Sequence, residues 1–326
     1  MGRALWRSFI LGVFSAAACG GIAVSLVKGA VDIPLADILS AVAAKGSGVS
    51  GQIIWNIRLP RTLVGALVGM NLALSGAILQ AVMKNPLADP HIIGISSGAG
   101  LAGIIVLVLM PQVEYLLTPV AFLGAMVAAA LIYLLAWKGG IRPIRIILAG
   151  VAVSAFLGAG ISALLVLYSD RVHGALVWMV GGLTARSWPH FYTILPYSVG
   201  GGLLAVWGAR QLNVLSLGDE VARGLGLKVE RTRIVMTAVA ALLAASAVSV
   251  AGLLGFVGLI VPHAARLVIG SDYRFLLPAS AVLGMGVVTL SDTLARTLFS
   301  PIEIPVGIIM AFIGAPFFLY LLRREA

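Results

Sequence analysis

Uncharged apolar runs alternate along this chain with short charged breaks, and the alternation sets the elements it forms. Runs near 8–27, 62–82, 92–110, 120–137, 146–168 and 191–209 each have about the 20 residues a helix needs to cross hydrocarbon. Two more follow near 275–296 and 303–322. Between these groups, residues 234–262 carry no charge. As one helix they would extend about 44 Å, too long for one crossing and too short for two full ones. A break around VAGLLGF, Val250 to Phe256, resolves the conflict into one full helix and a shorter one completed by VPHAARLVIG. The pattern predicts an all-α polytopic membrane protein with ten transmembrane helices, a single domain over 1–326.

The basic residues select ten spans over nine. With ten, both termini are cytoplasmic, and the inner side holds Arg3, Arg7, Lys84, Lys138, Arg142, Arg145, Arg210, Arg223, Lys228, Arg231, Arg233, Arg266, Arg274, Arg323 and Arg324. That is most of the 22 basic residues, as the positive-inside tendency requires. Nine spans would leave Arg323 and Arg324 outside. The net charge of +10 therefore reports topology rather than affinity for nucleic acid, since the basic residues lie between apolar blocks and not along one soluble face. The first 19 residues, MGRALWRSFILGVFSAAAC, have the basic start and apolar centre of a signal peptide. The apolar run continues to Val27, so an uncleaved first span is expected. Cys19 lies inside that run and offers neither a disulfide partner nor a metal cluster. Glycine patterns such as Gly65 to Gly69 and GISSGAG at Gly94 to Gly100 let helix backbones approach closely in lipid.

A pump needs an energy source, and this chain has no phosphate-binding loop. Lys28, Lys45 and Lys138 are each followed by Gly, Lys84 by Asn and Lys228 by Val, so none fits GxxxxGK[ST]. ATP hydrolysis by that device is excluded, and the chain itself is not expected to be an enzyme. Ion-driven carriers keep an ionisable group deep in a span, because its cost is tolerated only for function. Here Asp292 is the nearest case, and Arg296 four residues on makes a local helical ion pair the simpler reading. The halves show no repeat of the kind found in inverted-repeat carriers. An ion-coupled carrier and a passive channel or scaffold subunit both remain open on residues alone.

Eight charges crowd between Arg210 and Arg233, in a chain with only 10% charged residues. Ser216 with Asp219 has the form of a helix N-terminal cap, Gly218 loosens the chain before it, and GLG at Gly224 to Gly226 stops the helix before LKVERTR leads into the next span. A short helix, a turn and a second short helix result. Such a unit suits a groove on a soluble partner or, alternatively, the lipid headgroups. Before span two stand Lys28, Lys45, Arg58 and Arg61, against the positive-inside tendency; headgroup anchoring and electrostatic docking of a partner both account for them. In span five, Ser154, Gly158 and Ser162 stack on one helical face, fit either to line a path or to pack closely.

Five ordered segments carry a resemblance that runs over nearly the whole chain. They are RLPRTLVGALVGMNLALSGAILQAVMKNPLADPHIIGISSGAG, WMVGGLTARSW, LNVLSLGDEVARGLGL, GLLGFVGLIVPHAARLVIGSDYRFLLPASA and PIEIPVGIIMAFIGAPFFLYLL. The chain resembles the membrane subunit of ABC importers of the FecCD type, which take up iron chelates, haem and vitamin B12. The resemblance implies the type II ABC importer fold: a ten-span permease acting as a homodimer in the bacterial or archaeal cell membrane. It implies two cytoplasmic ATPase subunits, which hold the ATP and Mg, and an extracytoplasmic substrate-binding protein. It makes 210–233 the coupling segment, with ATPase contacts through Ser216, Leu217, Gly218, Asp219, Glu220, Val221, Ala222, Arg223, Gly224, Leu225 and Gly226. Docking of the binding protein is implied for Arg58, Arg61 and Arg296. Spans five and ten are implied to surround a central path, with a short outer helix around HGALVWMVGGL at its mouth. The expected cargo is an iron chelate, ferric siderophore or haem, with cobalamin as the alternative. No cofactor and no metal site are expected in the chain; His173, His91 and His263 read as polar surface or structural residues.

Overall fold

The computed structural model describes residues 3–29, 48–91, 94–137 and 143–325, and every regular element among them is helical. In chain order the helices are α1 Arg3–Val27, α2 Gly48–Met83, α3 Ile95–Leu109, α4 Leu117–Ala136, α5 Pro143–Leu167 and α6 Val172–Val180. Then come α7 Trp188–Trp207, α8 Ala209–Ser216, α9 Asp219–Gly224, α10 Val229–Ala251, α11 Val257–Ile269, α12 Tyr273–Thr297 and α13 Val306–Glu325. Among the described residues, six helices are long and apolar enough to cross a membrane: those containing Leu5–Val27, Gly48–Met83, Pro111–Ala136, Pro143–Leu167, Val229–Ala251 and Tyr273–Thr297. Lys45, Lys138 and Arg142, which figured in the charge count, lie outside the described residues.

The long uncharged run breaks where the sequence requires. α10 ends at Ala251, Gly252 takes φ 75°, Phe256 takes φ 67°, and α11 begins at Val257. A side chain at Gly252 would strike the carbonyl oxygen of Trp178 in α6, so glycine is required there for space as well as for its positive φ. The result is a helix of 23 residues followed by one of 13.

α2 and α10 form the interior, and α12 and α11 pack on α2. After an α-helical turn over Gly48–Gln52, α2 passes through a π-turn over Ile53–Arg58 just before Pro60, whose ring nitrogen has no hydrogen to donate to residue 56. From Pro60 to Met83 nearly every residue is buried. That is possible because the backbones touch: a Cβ at Gly69 would meet the backbone of Gly284 in α12, and one at Gly76 the backbone of Gly258 in α11. Between α2, α7 and α10 a polar cluster is closed, with Asn71 Nδ2 donating to Ser198 Oγ at 2.8 Å and Ser246 Oγ at 3.0 Å. α5 is the opposite case, with Leu148, Phe156, Val166 and Leu167 exposed on the isolated chain.

Gly76→Val is expected to lower the thermal unfolding midpoint in detergent, at a cost of about 2 kcal/mol or more from overpacking against Gly258. Gly158→Ala, on α5, meets nothing within 4 Å and should leave the midpoint unchanged. Equal midpoints for the two variants would contradict the backbone contact.

Candidate functional site

Charged residues from α2, α9 and α10 converge at one end of the bundle. Ser216 Oγ donates to the Asn213 carbonyl at 2.7 Å, so it closes α8 and does not cap the next helix. The expected Ser216 cap is thus corrected: the residue before α9 is Gly218, at φ 113°, which has no side chain with which to cap. Asp219 is turned to other work. Its carboxylate accepts from Lys84 Nζ at 2.5 Å and from both terminal nitrogens of Arg233 at 2.8 and 2.9 Å. Lys84 ends α2 in the left-handed region (φ 50°), and Arg233 on α10 is 1% exposed. At the far end of α9, Arg223 pairs with Glu230 at 2.7 Å. Gly226, at φ 82°, ends the turn as the GLG signal implied. α9 is therefore pinned to α10 at both ends and to α2 at one. Outward it shows Leu217, Val221 and Leu225, four residues apart and 60, 51 and 63% exposed.

These ion pairs set the titration of the inner face. Burial lifts the Asp219 carboxyl, but the hydrogen bonds from Lys84 and Arg233 outweigh it and hold the group below its ordinary range. The Arg274 hydrogen bond, against some burial and helped by Asn213, holds Asp272 far below that range.

At the opposite end of the bundle from α9, α1, α2 and α12 bring Arg58, Arg61 and Arg296 together, and all three are buried, at 4, 6 and 6% exposure. Each has partners inside the chain. Arg61 grips Asp292 with Nε and Nη2, both at 3.0 Å, and donates Nη1 to Glu303 at 2.8 Å. Arg58 Nη1 donates to the Leu26 and Val27 carbonyls at 2.8 and 2.7 Å. Arg296 donates to the carbonyl and, at 2.9 Å, the hydroxyl of Ser25. The helical pair expected between Asp292 and Arg296 exists at 4.0 Å, but the tighter partner of Asp292 is Arg61, 231 residues away in sequence.

A cavity of about 970 Å³ opens between α6, α11 and α13, lined by Met179, Val180, Phe256, Leu259, Ile308 and Phe312 among others, with Asp89 and His91 at one edge. Ser154, Gly158 and Ser162 do not line it. Ser154 is half-buried with its Oγ against Gly94, whereas Gly158 is half-buried beside open space and Ser162 is exposed. His173 is exposed on α6, and among the described residues no three His, Cys, Asp or Glu side chains gather as a metal site. His263 is buried on α11, its ring edge-on to Phe317.

The FecCD transport family model matches residues 15–324. The chain belongs to the FecCD transport family. Its relatives include the Fe(3+)-citrate import system permease YfmD of Bacillus subtilis, 41% identical over 93% of this chain and 91% of the relative. The cobalamin import system permease BtuC of Halobacterium salinarum is 45% identical over 92% of this chain and 82% of the relative. A solved structure described as an inward-facing conformation of a metal-chelate type ABC transporter superposes with TM-score 0.86 at 30% identity, covering 97% of this chain and 99% of the other. This FecCD chain is an ABC-importer permease, a multi-pass membrane protein whose family leaves ATP hydrolysis to a separate subunit.

Within this FecCD chain, sequence reasoning placed the α9 segment and the outer arginines but missed what holds them. Lys84, Arg233 and Glu303 gave no local signal, because Lys84 and Asp219 are 135 residues apart and Arg61 and Glu303 are 242 apart.

Asp292→Ala would leave Arg61 buried beside only one, half-exposed carboxylate and should cost about 3–5 kcal/mol; Glu303→Gln, at a more exposed position, should cost less than about 1 kcal/mol. Thermal unfolding in detergent ranks them, and the reverse order would contradict the geometry. Because its folded-state acidity is raised, Asp219 stabilises α9 above the ordinary carboxylate range and loses that contribution as pH falls through its depressed value. Hydrogen exchange over 216–233 should be flat between about pH 7 and pH 5, after correction for intrinsic rates, and rise below about pH 4. Loss of protection already near pH 6 would contradict the pairing.

Proposed function

We propose that this permease translocates an iron chelate, as one half of a homodimer, driven by two cytoplasmic ATPase subunits and fed by an extracytoplasmic binding protein. The observation that carries the reading is α9: a short, ion-pinned helix with an apolar outer edge, in a FecCD chain that has no nucleotide-binding loop of its own. An exposed apolar edge on a rigid mount suits a groove in a soluble partner. Ser216 to Gly226 form the contact, and ATP and Mg reside on the partner. The bare faces of α5 and α13, with Phe156, Val166 and Phe312 exposed, fit the second copy and lipid. In the dimer, the small-residue face at Ser154, Gly158 and Ser162 joins the path that the 970 Å³ cavity begins. The six strongly apolar helices, the three shorter ones and α7 make ten spans, with both termini cytoplasmic in the cell membrane.

Motion of α9 has two routes inward, through Arg233 into α10 and through Lys84 into α2. α2 carries Arg61 at its other end, so a push at the inner face reaches the outer one along a single buried helix. At that outer face Arg61 engages a carboxylate of the binding protein by exchanging the exposed Glu303, while Arg58 and Arg296 serve docking by holding the surface in shape through their contacts with the end of α1. The iron-chelate reading leans on the Fe(3+)-citrate relative, and cobalamin is the second reading because of the 45% identical cobalamin relative.

The test is uptake into proteoliposomes holding the permease with its ATPase and binding-protein partners. Labelled ferric citrate should accumulate with ATP, resist an uncoupler, and stop with Val221→Asp, which also releases the ATPase subunits. Accumulation of cobalamin alone would install the second reading, and uptake without an ATPase would end the importer mechanism altogether.

A further inference from the structure

We propose that Arg186 is a direct docking contact for an acidic side chain of the extracytoplasmic binding protein, an inference that rests on the importer reading above. Arg186 lies between α6 and α7, on the patch that holds Arg61. Two residues earlier, Thr184 Oγ1 donates at 3.4 Å to Glu303 Oε2, the oxygen that also accepts from Arg61. Among the described residues Arg186 forms no ion pair. Its Nη1 is 3.4 Å from His190 Nε2, and its Nε is shielded from solvent without a partner.

Arg61 and Arg296 each have Asp292 within 4.0 Å, whereas Arg186 has no carboxylate that close among the described residues. Burial lowers its affinity for a proton; Glu114 offsets that from a distance and Arg61 adds to it. A half-buried guanidinium without a counter-ion is costly, and a carboxylate brought from outside relieves the cost. The loop that presents it is built and held. The Arg186 N–H donates to the Leu183 carbonyl at 3.2 Å, and Ala185 sits in the left-handed region at φ 59°, a conformation a non-glycine residue adopts only at some cost. Ser187 and His190 cap α7 reciprocally, and Trp188 Nε1 donates to the Trp55 carbonyl at 2.9 Å.

The occupant is a protein carboxylate and not the cargo. The 970 Å³ cavity has no Arg186 in its wall, whereas Arg61 and Glu303 are near neighbours of the loop. A carboxylate must displace Glu303 to reach Arg61, but it displaces nothing to reach Arg186. The planar fork of the guanidinium suits two carboxylate oxygens at once.

The experiment uses the assembled permease–ATPase complex in nanodiscs and the fluorescently labelled binding protein that supports uptake in the assay above. Arg186→Ala should weaken binding about 30-fold or more, Arg186→Glu further, and Arg186→Lys should fall between wild type and Arg186→Ala. Binding by wild type should also weaken with salt more steeply than binding by Arg186→Ala. If Arg186→Ala does not assemble with the ATPase subunits, Arg186→Gln and Arg186→Lys carry the comparison. Affinity within twofold of wild type in the assembled variants overturns the proposal, as does unchanged affinity with lost uptake, which would assign Arg186 to cargo or gating. A wild-type complex that captures no binding protein at all would instead defeat the importer reading, and this inference with it.

Discussion

The contact between α2 and its neighbours is made of backbone, and the rest of the molecule depends on it. Gly69 against Gly284 and Gly76 against Gly258 bring helix axes closer than any side chain permits. In lipid, apolar side chains gain little by leaving one greasy environment for another, so close packing and satisfied polar groups must supply the cohesion. Once α2 is seated this way, its two ends are fixed in depth. Lys84 and Arg61 then sit where carboxylates from distant parts of the chain can reach them.

Both ends of α2 show the same electrostatic device with different consequences. At the outer end Asp292 is deeply buried, and Arg61 meets it with two parallel hydrogen bonds, a geometry that satisfies both ions with little solvent help. At the inner end the shared carboxylate, Asp219, is partly exposed while one of its cations, Arg233, is not. The buried partner fixes the position of the pair, and the exposed one belongs to α9, the element proposed to meet another protein. A helix of six residues has little stability of its own. Its ion pairs give α9 a fixed address that its length cannot.

Much of this was legible in the sequence because membranes enforce it. Among the described residues, six of the expected apolar runs coincide with helices long and apolar enough to cross a membrane, and Gly252 and Phe256 break the 234–262 run inside the expected stretch, since no single helix of that length fits the bilayer. The turn residues Gly218 and Gly226 bounded α9 as read. What failed was local inference about side chains. Ser216 looked like a cap and is not, because Gly218 occupies the position before the helix. Arg296 looked like the natural partner of Asp292 at four residues' distance, yet Arg61 on another helix approaches with better geometry. Spacing along one helix reports which residues share a face. It does not report which other helix is closer.

The same limit explains the outer arginines. A basic residue on the outer side of a membrane protein defies the usual charge bias, so sequence marks it as functional without saying whether it faces outward or inward. The structure divides them by their company. Arg58 and Arg296 donate to backbone carbonyls and a serine at the end of α1, which ties the first helix to the body and leaves those guanidinium groups committed. Arg61 is committed on two nitrogens to Asp292 and on the third to Glu303, a carboxylate exposed enough to be exchanged. Among the described residues Arg186 has no carboxylate to give up. Long-range attraction from such a cluster steers an acidic partner whichever arginine it finally grips. Under the proposed docking, a grip at Arg186 requires no exchange of an internal ion pair and forms before one at Arg61. Breaking the Glu303 contact then frees one nitrogen at the head of α2, and that is the helix whose other end holds α9.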